Sequence, residues 1–346
     1  MVKIGIVTGN ATAASLTLVS DAERLGVDSV WIPEAWMFDG LTPAAFVAGR
    51  TETMRIGTAC VQPGSRSPAL LAMSALSLQA MSGGRFILGM GSSGPQVMEG
   101  WHGVRFDKPV TRTRETIEII NQIASGERAA YDGTTYTLPL PDSQGKSLRS
   151  PVAMWPIPMY VASMGPANLR LTGELADGWI GTAFLAEHAD VYLDPIREAA
   201  EGAGRSLADI EITVAAGLEF TDDLEAAGRR HAAGYAFTIG AMGSSSTNFY
   251  NQAYTRMGYG DAVEEVRRRW AAGDREGAGD AVPIEIGLHT NLVGDDDDIR
   301  GRLVAYRDAG VDTIRVGVDL NAGALDDLAR LMDLVNEVNG QPADRG

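Results

Sequence analysis

The chain has 346 residues, of which 45% are apolar and 21% charged, enough to bury a large core and too ordinary for a disordered or fibrous protein. Its 29 basic and 45 acidic residues give a formal net charge of −16, so the average surface repels nucleic acid and anionic membrane. The single cysteine, Cys60, rules out an intrachain disulfide and a cysteine metal cluster.

Met1 leads straight into Val2-Lys3-Ile4-Gly5-Ile6-Val7, too short and too strand-like for a secretory leader, and a reduced lone cysteine fits a cytoplasmic protein. Further strands are expected at 28–33, 54–61, 85–90, 158–163, 178–183, 210–217 and 313–319. The links between them repeat one sentence: an amphipathic helix, a Gly, often an Asp, then a short apolar strand. Asp21–Ile32 closely parallels Tyr306–Val316, and Glu174–Gly181 and Ala80–Leu88 are variants. In each the Gly is expected to end a helix in the left-handed conformation before the chain returns into a buried parallel strand. Eight strands alternating with helices from one terminus to the other specify an α/β fold, a (β/α)8 TIM barrel read as a single domain over 1–346.

Two connections are longer than a barrel needs. Residues 127–157 carry several Gly and Pro and a hairpin pattern at Tyr131–Tyr136, and residues 219–283 contain a polar Gly/Ser stretch at Gly240–Ser246. Both are placed as long insertions at the C-terminal face, where a barrel carries its active-site loops. The segment Ile284–Val293, bounded by Pro283 and Gly294, is read as helical rather than as a ninth strand.

The strand ends offer Thr8-Gly9-Asn10, Glu34-Ala35-Trp36, Ala59-Cys60-Val61-Gln62-Pro63, Gly91-Ser92-Ser93-Gly94, Ala162-Ser163-Met164-Gly165, Thr182-Ala183-Phe184, Gly217-Leu218-Glu219 and Asp319-Leu320-Asn321. Only Glu34, Glu219 and Asp319 titrate there, and the four His show no metal-ligand spacing. A rim of glycines, small hydroxyls and aromatics with few proton carriers suits a borrowed reactive group. Two turns suit a phosphate: Gly91–Gly94, and Ala162–Gly165 before Pro166, which starts a helix whose N–H groups face outward. Arg105, Lys108, Arg112 and Arg114 form a nearby basic cluster, equally readable as a solvated loop and helix start.

These residues resemble the luciferase-like oxidoreductases that use the deazaflavin coenzyme F420. The likeness runs through Val30–Trp36, Arg55–Pro63, Ser82–Gly91, Gly94–Gly103, Thr111–Glu115, Pro158–Pro166 and Ala176–Trp179, nearly the whole chain. It implies a bacterial-luciferase-like barrel, a homodimer, and a non-prolyl cis peptide at Ala59-Cys60 against the coenzyme ring. It places the coenzyme phosphate or its lactyl tail on Gly91, Ser92, Ser93 and Gly94 and on Ala162, Ser163, Met164 and Gly165. The catalytic candidates are Glu34, which would orient or polarise the deazaflavin, and Trp36, which would wall the substrate pocket. The carboxylate–His pair and second Glu of the family's sugar-phosphate dehydrogenases are absent: the positions read Glu34-Ala35-Trp36 and Ser93-Gly94-Pro95.

The first reading is an F420-dependent oxidoreductase moving a hydride between the deazaflavin C5 and a small organic substrate. The alternatives are an FMN-dependent luciferase-like monooxygenase and a non-catalytic barrel that binds a phosphorylated metabolite. No metal, nucleic acid or membrane partner is expected.

Overall fold

The computed structural model describes residues 1–8, 12–152, 155–242, 248–317 and 322–340. Its central sheet contains β1 (Lys3–Val7), β2 (Ser29–Ile32), β3 (Arg55–Thr58), β4 (Phe86–Gly91), β5 (Met159–Ala162), β6 (Gly178–Gly181), β7 (Glu211–Phe220) and β8 (Thr313–Gly317). Each strand pairs in parallel with the next, and β8 returns to β1, so the eight close into a barrel wrapped by helices. The expected (β/α)8 architecture is therefore present, and each strand lies within or beside its expected span. Among the described residues no helix is long and apolar enough to cross a membrane.

The repeated sentence acquires a physical meaning here. Gly26, Gly83 and Gly310 end their helices at φ +89°, +67° and +88°, a backbone that favours glycine. The Asp at the start of the next strand stitches neighbouring strand starts together in three of these links: Asp177 accepts the Met159 N–H at 2.8 Å, Asp312 accepts that of Ile212 at 2.8 Å, and Asp28 pairs with Arg55. Gly178 departs from the expected pattern. It is the first residue of β6, and a Cβ there would collide with the Tyr160 ring.

The expected helix over Ile284–Val293 is half right. A helix runs over Ile284–His289, and Leu292–Gly294 is a strand paired with Leu218–Phe220. Asn291 makes the break, its Nδ2 donating to the Gly287 carbonyl at 2.7 Å while its Oδ1 accepts the Gly217 N–H at 2.7 Å. Strand β7 outgrows the barrel, and this added strand satisfies the edge that would otherwise hang free. The hairpin of the first insertion pairs Tyr131–Asp132 with Thr137–Leu138.

Inside the barrel the strand alternation stacks two kinds of layer. At the N-terminal end Glu211 accepts from Arg55 Nη1 and Nη2 at 2.7 Å each, from Tyr160 Oη at 2.6 Å and from Thr313 Oγ1 at 2.8 Å. Trp31 lies above it, its indole filling the space left by Gly5 and Gly57, where a Cβ would strike the ring. Trp31, Ile87, Tyr160 and Ile180 form this plug, with Val7, Ala59, Cys60 and Ala162 packed against it.

Candidate active site

The C-terminal end of this plug is a shallow bowl. Strand β3 stops at Thr58, the Ala59–Cys60 peptide is cis, and pairing with β4 resumes where Val61 meets Met90. The Val61 N–H donates to the Gly89 carbonyl and the Gly91 N–H to that of Val61, each at 3.0 Å. A Cβ on Gly91 would collide with Cys60 Sγ and sit 3.1 Å from the Ala162 Cβ. Ala59, Cys60, Gly91 and Ala162 are thus brought together as a floor by β3, β4 and β5. Burial pushes the Cys60 thiol up to about 12, with Glu34 adding to the rise and Arg315 opposing it, so the floor is uncharged.

The flanking turns divide. Ser93 takes φ +59° and Gly94 caps the short helix Pro95–Met98 without a side-chain bond, while Ser92 lines a small cavity with Pro63, Arg105 and Arg112. On the other side Gly165 caps the helix Pro166–Leu175, again without a side-chain bond, and the Met164 carbonyl accepts Arg256 Nη2 at 2.8 Å. Phe249 sits over Gly165, its ring 3.3 Å from where a Cβ would stand. Ser163 differs from the expectation. Strand alternation turns it away from the bowl, its hydroxyl lies 2.9 Å from Thr172 Oγ1, and its carbonyl accepts Trp179 Nε1 at 2.9 Å.

Both carboxylate oxygens of Glu34 are occupied. Its Oε1 accepts Arg66 Nη1 at 2.6 Å, its Oε2 accepts Arg66 Nη2 at 2.8 Å and the Gly40 N–H at 2.8 Å, and its side chain is 6% exposed. Its carbonyl also accepts Gln62 Nε2 at 3.0 Å. With both oxygens engaged in a bidentate pair, it ties the loop after β2 to the loop after β3. Trp36 is 56% exposed and stands with exposed Met37 and Phe38 at the mouth rather than on the floor. Glu219 is likewise taken, its oxygens binding Arg230 and His231. Gly9, Asn10, Gly243–Ser246 and Asp319–Asn321 lie outside the described residues.

The basic cluster does not act as one patch. Arg114 binds Glu174, and Arg112 donates to Asp107 at 2.8 Å beside the Tyr136 ring, leaving Arg105 and Lys108 with no ion pair among the described residues. Several polar atoms about the bowl are buried without a partner, among them Thr8 Oγ1, Gln62 Oε1 and Arg315 Nε. Sequence reasoning missed Arg66, Gln62 and Arg315. Only Arg315 left a readable signal, as a charged residue inside the apolar strand Thr313–Gly317.

The model of the family described as luciferase-like monooxygenase matches residues 3–313. A Mycobacterium tuberculosis protein designated a coenzyme F420-dependent oxidoreductase is 38% identical over 91% of this chain and 93% of its own. The 5,10-methylenetetrahydromethanopterin reductase of Archaeoglobus fulgidus is 28% identical over 86% of each chain. The solved F420-dependent tetrahydromethanopterin reductase of Methanopyrus kandleri superposes with a TM-score of 0.75 over 97% of this chain and 99% of that one, at 22% identity. The family match over nearly the whole chain, the relative 38% identical over nine-tenths of both chains and the parallel barrel closed by β8 on β1 agree, and this chain is an oxidoreductase belonging to the luciferase-like monooxygenase family.

Proposed function

We propose that this enzyme uses coenzyme F420 to move a hydride between the deazaflavin C5 and a small, mainly apolar organic substrate. The observation that carries the reading is the floor of the bowl, where Ala59, Gly91 and Ala162 converge with a neutral Cys60 as a surface of small side chains against which a planar ring could lie. The choice of F420 over FMN is supported by the relative that is 38% identical over nine-tenths of both chains. The unpartnered buried polar atoms of Thr8, Gln62 and Arg315 fit a polar heterocycle above the floor.

When bound, the coenzyme supplies the carbon that accepts or gives the hydride. The chain's contribution is placement. Ala59, Cys60, Gly91 and Ala162 would press on one face of the ring and leave the other to the substrate. The Gly91–Gly94 turn and the N-terminus of the helix Pro166–Leu175, capped by Gly165, would hold the phosphate. Glu34 and Arg66 fix the loop that carries Trp36, Met37 and Phe38, which supply an apolar substrate wall. Glu34 and Glu219, the rim carboxylates among the described residues, are both engaged, and on this reading a proton comes with bound water or with the substrate itself.

Titration of the purified protein with F420 and with FMN, followed by ligand fluorescence, tests this. Sub-micromolar F420 binding with FMN weaker by tenfold or more is expected. Equal or tighter FMN binding would overturn the assignment and favour a flavin monooxygenase of the same family.

A further inference from the structure

Two arginines reach into the barrel lumen, and their surroundings are opposite. Arg55, in the lower layer, meets two carboxylates, Glu211 and Asp28, which hold its guanidinium firmly protonated. Arg315 sits on β8 between Gly5 of β1 and Ala215 of β7, at 5% exposure, closer to the bowl. Its Nη2 donates to the Gly181 carbonyl at 2.6 Å, and its Cζ lies 5.5 Å from the centre of the Trp31 ring. Its Nε is buried and has no partner.

Among the described residues no carboxylate pairs with Arg315. The ionisable group that senses it is Cys60, on the floor, whose thiol stays neutral; Tyr250, which faces Cys60, is pushed up by burial and is neutral as well. Glu34 is already cancelled by Arg66. Burial lowers Arg315 to about 10, so at neutral pH it remains a cation in a low-dielectric layer with no anion supplied by the described chain. An unmatched buried charge opposes folding, and a ligand anion in the bowl would relieve it.

We propose that Arg315 is a positioning residue, the counter-charge for an anionic ring bound in the bowl, and that it holds the deazaflavin in its ring-deprotonated form. This rests on the coenzyme reading above. The deazaflavin of F420 carries a phenol-type hydroxyl that FMN lacks, and a fixed cation in a dry site favours the ionised form of such a group. Arg315 would therefore also favour deazaflavin over flavin.

The ring's absorbance reports its ionisation, so the test is a pH titration of oxidised F420 bound to the full-length wild type, Arg315→Met and Arg315→Gln. The wild-type midpoint should lie about 1–2 pH units below that of either variant, a roughly 10- to 100-fold change in proton affinity, and affinity at neutral pH should fall by a similar factor on substitution. Arg315→Lys, which keeps the charge, should retain most of the shift and serves if neither neutral variant folds. Coincident midpoints in wild type and neutral variants would overturn the inference, as would a lysine variant matching free coenzyme. A merely structural arginine would lower the melting temperature of the ligand-free protein and leave the midpoint in place. Failure of the wild type to bind F420 at all would instead overturn the coenzyme assignment beneath it.

Discussion

Replacing Glu34 by Gln separates two roles for the one carboxylate at the end of β2. The side chain accepts three hydrogen bonds, two from Arg66 and one from Gly40, at 6% exposure, and Arg66 is 20% exposed. Breaking one partner of a fully buried pair costs about 3–5 kcal/mol, and with Arg66 partly solvated and Gln still able to accept one bond the loss here should be about 2 kcal/mol. An unfolding entropy of about 2.1 cal/mol/K per residue gives about 0.7 kcal/mol/K for 346 residues, so the melting temperature should fall by about 3 °C. Calorimetry reads that shift, and single-turnover hydride transfer with saturating F420 reads the chemistry, which should stay within about threefold of the parent. Arg66→Met should reproduce the stability loss, and the double variant should lose little more than either single, a coupling of about 1–2 kcal/mol. A tenfold or greater loss of rate with an unchanged melting temperature would refute the reasoning and return Glu34 to the reaction.

Gly91→Ala puts a Cβ into Cys60 Sγ and against Ala162, so it should weaken coenzyme binding tenfold or more while leaving the circular dichroism spectrum unchanged; wild-type affinity would mean that the floor does not touch the ring. Glu211 is half-buried, which by itself would raise its carboxyl, but Arg55, Tyr160 and Thr313 hold it down to about 2, against 4.5 for the ordinary group. Its stabilisation is thus fully present above pH 4.5, is lost as pH falls from there through 2, and amounts to about 3 kcal/mol. Urea unfolding should accordingly find Glu211→Gln less stable than wild type at pH 7, with the gap closing toward pH 2; a gap independent of pH would contradict it. Cys60, with its thiol pushed up to about 12 by burial, should alkylate at pH 8 roughly a hundred- to a thousandfold more slowly in the native protein than after unfolding. Equal labelling rates would show a reactive thiolate on the floor.

How much of this was legible in the amino-acid order depended on distance along the chain. The barrel was legible because its instructions are local. Gly26, Gly83 and Gly310 mark helix ends within a dozen residues of the next strand, and the same short window carries Asp28 and Asp312, which bind adjacent strand starts. The floor was legible too, since Ala59–Cys60, Gly91 and Ala162 are small residues at the ends of three apolar runs. The direction of the Ser163 side chain was not legible in the same way, because its hydroxyl partner, Thr172, lies on the following helix.

By itself, then, the sequence determined the parallel barrel, its family and the small residues that end three neighbouring strands, because alternation, capping and backbone freedom act between near neighbours. Only the tertiary structure decided the charges around that bowl. Glu34 and Arg66 are 32 residues apart, and nothing near either announces a bidentate pair that takes both carboxylate oxygens. Arg55 and Arg315 both reach into the lumen, yet Glu211, 156 residues from Arg55, neutralises one and no described carboxylate reaches the other. Electrostatic matching in a closed barrel is set across its lumen, between strands whose register exists only once the sheet has closed.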